Sequence, residues 1–512
     1  MKRRDLLSAG TAALLAPVLG CRRIPSSGLD AVAMTRGAWG AAELLADALR
    51  RIHEMERCVP QLRAVVEVNP EALALARALD AAAVRGPLQG VPVLLKDNIE
   101  TADRMRTTAG SLALMDAPVP DRDATVASRL RAAGAVLLGK TNLSEWANLR
   151  SPHSTSGWSA RGGLTRNPHD LRRTASGSSS GSAAAVSAGL VPAALGTETN
   201  GSIVSPAACC GIVGLKPTLG LVSRAGIIPL SRWQDTAGPM TRTVRDAALL
   251  LNALAGNDPR DAFTAEADGR RAADYTAGFG AGALRGVRLG VVRSLCGREP
   301  GVLALFERAL DVLREAGAVL VDEVEIPRQR EASELAWLAL LTEFREDLNA
   351  YLEQRGGRVR SLAELIAFNA AHAVEEMPHF GQELFEEAER RMGRENEAAE
   401  ARRLARELAG PQGIGAALQA HRLDALICAT NDPATPIRLN GGDLGGRTAS
   451  TPAAVAGWPH LTVPMGAVEG LPVGLSFLGE AWSDARLLAL GDAFERAAGV
   501  HLPPDYAGMN EL

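Results

Sequence analysis

The feature that most narrows what this chain can fold into is the run from Arg173 to Pro217, RTASGSSSGSAAAVSAGLVPAALGTETNGSIVSPAACCGIVGLKP, in which almost every side chain is small. Glycine lets another backbone or a ligand come close, and clustered Gly and Ser supply main-chain N–H groups and hydroxyls. Two separated Ser/Gly clusters therefore point to a site built from backbone donors. A flexible Gly/Ser linker shares the composition but has no internal order. Ser180 to Leu190 is instead rich in helix formers and opens on serines suited to N-capping, and Ala193 to Thr197 reads as a strand. A helix of about 11 residues rises roughly 16 Å and the strand returns about 17 Å. Ser178 and Ser202, 24 positions apart, are thereby expected at the same end of the helix.

Lysine usage points to the same region. Of 55 Lys and Arg residues only Lys2, Lys96, Lys140 and Lys216 are lysines, so the chain uses Arg almost wherever a cation suffices. Arg keeps its proton near neutral pH, whereas burial can strip a lysine of its own. Lys96 closes the apolar run Val91-Pro92-Val93-Leu94-Leu95, which reads as a buried strand delivering one polar side chain at its end. Alternation along that strand sends Asp97 to the opposite face, leaving Lys96 un-neutralised. A surface ion pair, the competing reading, sits badly with the apolar run.

GVPVLLKDN, then GSSSGSAAA, GTETNGSI and GIVGLKP, resemble in that order the signature region of the amidase signature enzymes. The resemblance implies an α/β fold with a large mixed central β-sheet covered by helices on both faces, plus a helical insertion. It implies amide hydrolysis by a Ser–cis-Ser–Lys triad, with no cofactor and no metal. Ser202 maps to the nucleophile, Ser178, after a cis peptide from Gly177, to the bridging hydroxyl, and Lys96 to the base. The N–H groups of Thr199, Asn200, Gly201 and Ser202 map to the oxyanion hole. Asn200 stands where the family usually has Gly or Asp, so backbone donation carries over but a side-chain role of that Asp does not.

Two other motif matches compete. Gly134 to Thr141, GAVLLGKT, fits the phosphate-loop pattern, but its variable residues are strand formers, leaving the loop nowhere to be. Gly177 to Gly181, GSSSG, fits a nucleophile elbow centred on Ser179, but an elbow follows a strand and Arg166 to Ser176 reads as a polar loop. The eight His residues supply no evident Ser-His-Asp set, and His153 and His169 lie nearest the motif in sequence.

Within the family, residues 156–163 (SGWSARGG), GTETNGS, 380–385 (FGQELF) and 470–488 (GLPVGLSFLGEAWSDARLL) look like segments of the bacterial peptide amidases. That implies removal of the C-terminal amide of peptides. A broader aryl or alkyl carboxamide or ester hydrolase stays open. A non-catalytic amide-binding protein would need a triad residue missing, and none is. In the glutaminyl-tRNA amidotransferases the position two residues beyond the nucleophile is usually Arg; here it is Val204. Phe380 and Gln382 are candidates to line the cleft.

The rest of the chain sets the context. The formal net charge of −4 gives no electrostatic case for nucleic acid. The Cys at 21, 58, 209, 210, 296 and 428 show no metal-ligand spacing, and Cys209 and Cys210 read as buried thiols. Met1 to Cys21, MKRRDLLSAGTAALLAPVLGC, combines basic and apolar segments; residues 1–25 read as a twin-arginine-like export signal with Cys21 as a possible lipid acceptor. The expected location is the periplasm, or the cell envelope through that lipid, which would be the only membrane contact. Residues 26–512 are expected to form a single domain, with 331–420 a helical insertion capping the core. Further strands are expected at 286–293, 318–326, 423–429, 461–464 and 473–478, and helices at 246–255, 300–316 and through 333–408.

Overall fold

The computed structural model describes residues 39–56, 61–82, 86–444 and 448–506. Residues 1–25, expected to be an export signal, lie with Cys21 outside the described residues. Eleven strands form one sheet: β1 (Val65–Val68), β2 (Pro92–Lys96), β3 (Val136–Thr141), β4 (Ala193–Glu198), β5 (Val213–Lys216), β6 (Thr236–Thr241), β7 (Arg288–Val291), β8 (Val319–Val321), β9 (Ala425–Ala429), β10 (His460–Val468) and β11 (Leu471–Leu478). Their order is β1-β3-β2-β4-β6-β5-β10-β11-β9-β7-β8. The sheet is mixed, with β2 parallel to β3 and β4, and β6 antiparallel to β4.

Alternation along the strands builds two apolar layers. Val93, Leu95, Leu137 and Leu195 join one buried cluster, with the helices Thr125–Ala132, Val244–Leu254, Pro300–Glu315 and Asp484–Ala498. Leu94, Val136, Leu138 and Ala194 join the other, with Ala41–Glu56 and α1 (Ser180–Ser187). Successive strand residues face opposite sides, so nearly continuous apolar strands bind helices on both faces.

The expected elements are present with shifted ends, the strand at 461–464 running over His460–Val468 and the helical stretch 333–408 breaking into several helices. Three further differences have a local cause. Helix α1 ends at Ser187 rather than Leu190, because Gly189 turns left-handed (φ +67°) and Leu190 N–H bonds back to the Ala185 carbonyl. The strand expected over 318–326 is only Val319–Val321; Asp322 is drawn to Arg293, and Glu323 takes a positive φ. Arg166 to Ser176, expected as a loop, holds a short antiparallel pair, Arg166–Asn167 with Asp170–Thr174. Its turn is the Asn-Pro segment that made the region read as irregular.

From Gln329 to His421 the chain is mostly helical, with α2 (Gln329–Arg355) and α3 (Glu395–Ala409) as the long members. Leu341, Phe344, Leu348 and Leu352 of α2 pack with Trp146, Leu149, Ile228 and Leu230 from the loops beside the sheet. Among the described residues, no helix is long and apolar enough to cross a membrane.

Candidate active site

Strand β2 delivers Lys96. Leu94 belongs to the layer that holds α1, and alternation puts Lys96, two residues later, on the same side. Its Nζ is buried 2.7 Å from Ser178 Oγ, 2.9 Å from Thr197 Oγ1 and 3.2 Å from the Thr197 carbonyl. Burial pushes Lys96 down to about 7, against the upward pull of Asp235 and Glu198. Near neutral pH this amine is therefore divided between its charged and neutral forms. Asp97 points away, as alternation requires, accepting from Arg161 at 2.7 Å and from Thr108 at 2.5 Å.

Ser178 opens the turn into α1. The Gly177–Ser178 peptide is cis, as the resemblance implies. A side chain at 177 would collide with the Ser144 hydroxyl and crowd that of Ser156, so only glycine fits. Ser144 also fixes the turn from below: its N–H donates to the Ser178 carbonyl at 3.0 Å, and its hydroxyl accepts from Gly157 N–H at 2.9 Å.

Ser202 lies on the loop that leaves β4. Ser179 N–H donates to the Ser202 carbonyl at 3.1 Å, stitching this loop to the turn that carries Ser178. The structure thus joins Lys96 to Ser178 directly and joins Ser202 to their neighbourhood through main chain. Among the described residues the Ser202 hydroxyl has no hydrogen bond, to Ser178 or to any other group. Lys96 and Ser178 are fully enclosed, whereas Ser202 keeps 8% of its surface; a molecule arriving from solvent meets Ser202 first.

The loop between β4 and Ser202 is held from several sides. Glu198 accepts from Ile203 N–H at 2.8 Å and Val204 N–H at 3.0 Å, closing the far end. Thr199 Oγ1 donates to Asp235 at 2.5 Å. Gly201 has φ +83°, and an added Cβ would press on Ser450 Oγ, so both conformation and space call for glycine. Among the described residues the N–H groups of Thr199, Asn200, Gly201 and Ser202 have no acceptor. A small pocket beside this loop is lined by Asn98, Ser178, Thr197, Thr199, Arg224 and Asp235, among others.

The family model Amidase matches residues 43–488. This chain belongs to the amidase family. It is 41% identical over 463 residues to a protein described as a probable amidase in Arabidopsis thaliana, covering 87% of this chain and 85% of that one. It is 38% identical to a glutamyl-tRNA(Gln) amidotransferase component of Chloroflexus aggregans, covering 93% and 97%. Among solved structures, native peptide amidase from Stenotrophomonas maltophilia superposes with a TM-score of 0.89 at 49% identity, covering 94% of this chain and 99% of that one. A peptide amidase in complex with the competitive inhibitor chymostatin gives 0.91 at 50% identity, covering 94% and 100%. The chain is a hydrolase of amide C–N bonds with the amidase signature fold.

The competing motifs find other uses in this amidase. Lys140 stands inside β3, with its Nζ bonded to the Ile99 carbonyl and to Thr107 Oγ1, so no phosphate loop exists there. A strand does precede the elbow-like Ser179, contrary to the loop reading. Yet Ser179 is fully buried, its hydroxyl exchanging hydrogen bonds with the Thr197 main chain. His169 lies against the Cys210 carbonyl and Ser187, while His153 is exposed. His460, paired with Ser476 at 2.7 Å, is pushed down to about 3 by burial and sits within the sheet. Cys209, Cys210, Cys296 and Cys428 are free and buried. Gln382 bonds to Asn369 and the Ile366 carbonyl inside the helical segment, and Phe380 packs on Trp158; neither lines the pocket beside Ser178.

Several residues of this amidase's site escaped the sequence reading. Asp235, Gln234 and Glu198 all touch the Ser202 loop, yet each sits in a stretch with no periodic signal. Glu198 had one usable sign, an acidic residue shortly before a helix start, where exposed N–H groups need an acceptor. Asn200 has a side-chain use of its own: its Oδ1 accepts from Ser450 Oγ at 2.7 Å and its Nδ2 donates to Thr451 Oγ1 at 3.2 Å.

Proposed function

We propose that this amidase removes the C-terminal amide of peptides, releasing ammonia and the free acid, through Ser202, Ser178 and Lys96. Neutral Lys96 draws the Ser178 proton as Ser178 draws that of Ser202, and Ser202 Oγ attacks the carboxamide carbon. The N–H groups of Thr199, Asn200, Gly201 and Ser202 hold the developing oxyanion; preset donors need no reorganisation as charge builds. The proton returns along the same path to the leaving nitrogen, and ammonia departs. Water then attacks the acyl carbon, Ser202 regains its proton, and the free acid leaves. No cofactor or metal enters any step.

The observation that carries this reading is the 2.7 Å contact between Lys96 Nζ and Ser178 Oγ, made by a lysine that burial brings down to about 7. The peptide-amide substrate is supported by the similarity to peptide amidase over 94% of the chain. The basic-then-apolar start of the sequence supports export, where the substrates would be peptide amides outside the cytoplasm.

The test is ammonia and free-acid release from a panel of C-terminally amidated peptides, beside simple carboxamides and aryl esters, with Ser202→Ala as the blank. Brisk release from amidated peptides, absent in Ser202→Ala, is the expected result. Turnover confined to simple carboxamides or aryl esters overturns the peptide assignment. Turnover that survives in Ser202→Ala overturns the triad.

A further inference from the structure

A chain of buried contacts runs from the helical segment to the main chain of the nucleophile loop, and Gln234 is its pivot. Arg402 on α3 is 2% exposed and bonds bidentately to Glu343 on α2, Nε to Oε1 and Nη2 to Oε2, both at 2.8 Å. Its Nη1 donates to Gln234 Oε1. Gln234, 3% exposed, donates from Nε2 to the Thr199 carbonyl at 3.1 Å. Glu343 also accepts from Ser231 Oγ at 2.5 Å, fastening the start of the same loop to α2.

The direction of the Gln234 amide is dictated by chemistry. A guanidinium offers donors only and a carbonyl accepts only, so the amide oxygen must face Arg402 and the NH2 must face Thr199. Arg402 is in turn oriented by Glu343, which leaves one guanidinium edge free for Gln234. The Thr199 peptide unit is the one whose carbonyl precedes the Asn200 N–H. Gripping that carbonyl sets the plane of the peptide and hence where the Asn200 N–H points.

We propose that Gln234, held by the Arg402–Glu343 pair, is a positioning residue that aims the Asn200 N–H into the oxyanion hole, making the helical segment part of the catalytic apparatus. This deepens the proposed function and rests on it. An oxyanion donor acts on the tetrahedral state and little on bound ground state, so mis-aiming it lowers kcat rather than raising KM.

The variant that isolates this role is Gln234→Glu, which keeps the size and the Arg402 contact but sets a carboxylate oxygen against the Thr199 carbonyl. We expect kcat on an amidated dipeptide to fall about 10- to 100-fold, with KM changed less than about twofold. That is less than the roughly 100- to 1000-fold lost when an oxyanion donor is removed outright, because the donor here is mis-aimed rather than deleted. Affinity for a peptide aldehyde, whose adduct with a serine is tetrahedral, should fall by a similar factor, while affinity for the free-acid product stays level. Gln234→Met, which removes both contacts without adding charge, should show the same split. Wild-type kcat in both variants, or a parallel loss of aldehyde and product affinity, overturns the proposal. Failure of the underlying reading looks different: wild-type enzyme would then form no aldehyde adduct, or would form one that Ser202→Ala retains.

Discussion

Lys96 and Lys140 lie on neighbouring parallel strands, with Lys140 opposite Leu95 and Thr141 opposite Lys96. Both are fully buried, and burial lowers both, to about 7 and about 8. They differ in what their amines touch. Lys96 meets a serine hydroxyl that can pass a proton onward, beside the hydroxyl and carbonyl of Thr197. Lys140 meets the Ile99 carbonyl and Thr107, whose own hydroxyl is turned to that carbonyl. A carbonyl can solvate an ammonium but cannot relay its proton. Burial alone therefore does not make a base; a proton-carrying neighbour that leads to substrate does.

The largest effect that can break this contrast is on turnover. Lys96→Met should lower kcat/KM on an amidated peptide by about 10⁴-fold or more, as expected when one member of a proton-transfer set is removed. Lys96→Arg should not rescue it, because Arg holds its proton. Lys140→Met should leave kcat/KM within about threefold in whatever fraction of the protein folds, counted by active-site titration. Equal losses at the two positions would erase the distinction drawn here.

A pH profile sharpens it further. In the proposed mechanism the working form of Lys96 is neutral, so activity should be present above its pKa and lost below. Between about pH 7 and pH 5, log kcat/KM for the wild type should fall with a slope near one, roughly tenfold per pH unit, from a limb near pH 7. The same limb should persist unmoved in Lys140→Met. A limb that shifts when Lys140 is replaced would mean that the two amines titrate as a unit.

Stability turns the contrast around, since both lysines cost the fold something. Each has a folded pKa depressed below the ordinary value of 10.5, so the unfolded chain binds the extra proton between the two values. Stability from these groups rises with pH across that window and is smallest at and below its lower edge. Relative to wild type, Lys96→Met should be most favoured at pH 7 and lose that advantage toward pH 9.5, by up to about 3 kcal/mol at about 1.4 kcal/mol per pH unit. For Lys140→Met the change over the same interval should be smaller, because its window opens about one unit higher. Urea unfolding of the three proteins at both pH values measures this; a pH-independent difference would mean that neither amine is depressed in the fold.

How much of this was readable beforehand follows from the kind of signal each element leaves. Lys96 stood out as a rare lysine at the end of an apolar strand, whereas Ser178 and Ser202 were singled out from the other serines of the small-residue run by the resemblance to the amidase signature. The outward helix α1 and the return strand β4 followed from propensity and length. The hairpin before Ser178 was missed because its polar strands and Asn-Pro turn carry no apolar alternation. Gln234, Asp235, Arg402 and Glu343 were invisible because their contacts are side-chain hydrogen bonds between separate segments, 35 residues apart for Gln234 and Thr199 and 168 for Gln234 and Arg402. Side-chain hydrogen bonds of that span leave no periodic trace. Asn200 was read only as a departure from pattern, and its attachment to Ser450 and Thr451 needed the fold.

The smallest change discriminates most finely, because it leaves both lysines in place. Thr197 Oγ1 lies 2.9 Å from Lys96 Nζ and also accepts from Asn98 Nδ2 at 3.0 Å, so it favours the charged amine through a lone pair. Thr197→Val keeps the shape and removes that acceptor, which should move the acid limb of kcat/KM downward by about half a pH unit. Because Lys96 also loses an orienting contact, the plateau should fall about threefold. Thr107→Val does the matching thing to Lys140 at 2.8 Å, yet should leave limb and plateau where they are and register only in unfolding. If Thr107→Val moved the limb as far as Thr197→Val, proton transfer would have to run through both strands, and the assignment of a single base would fail.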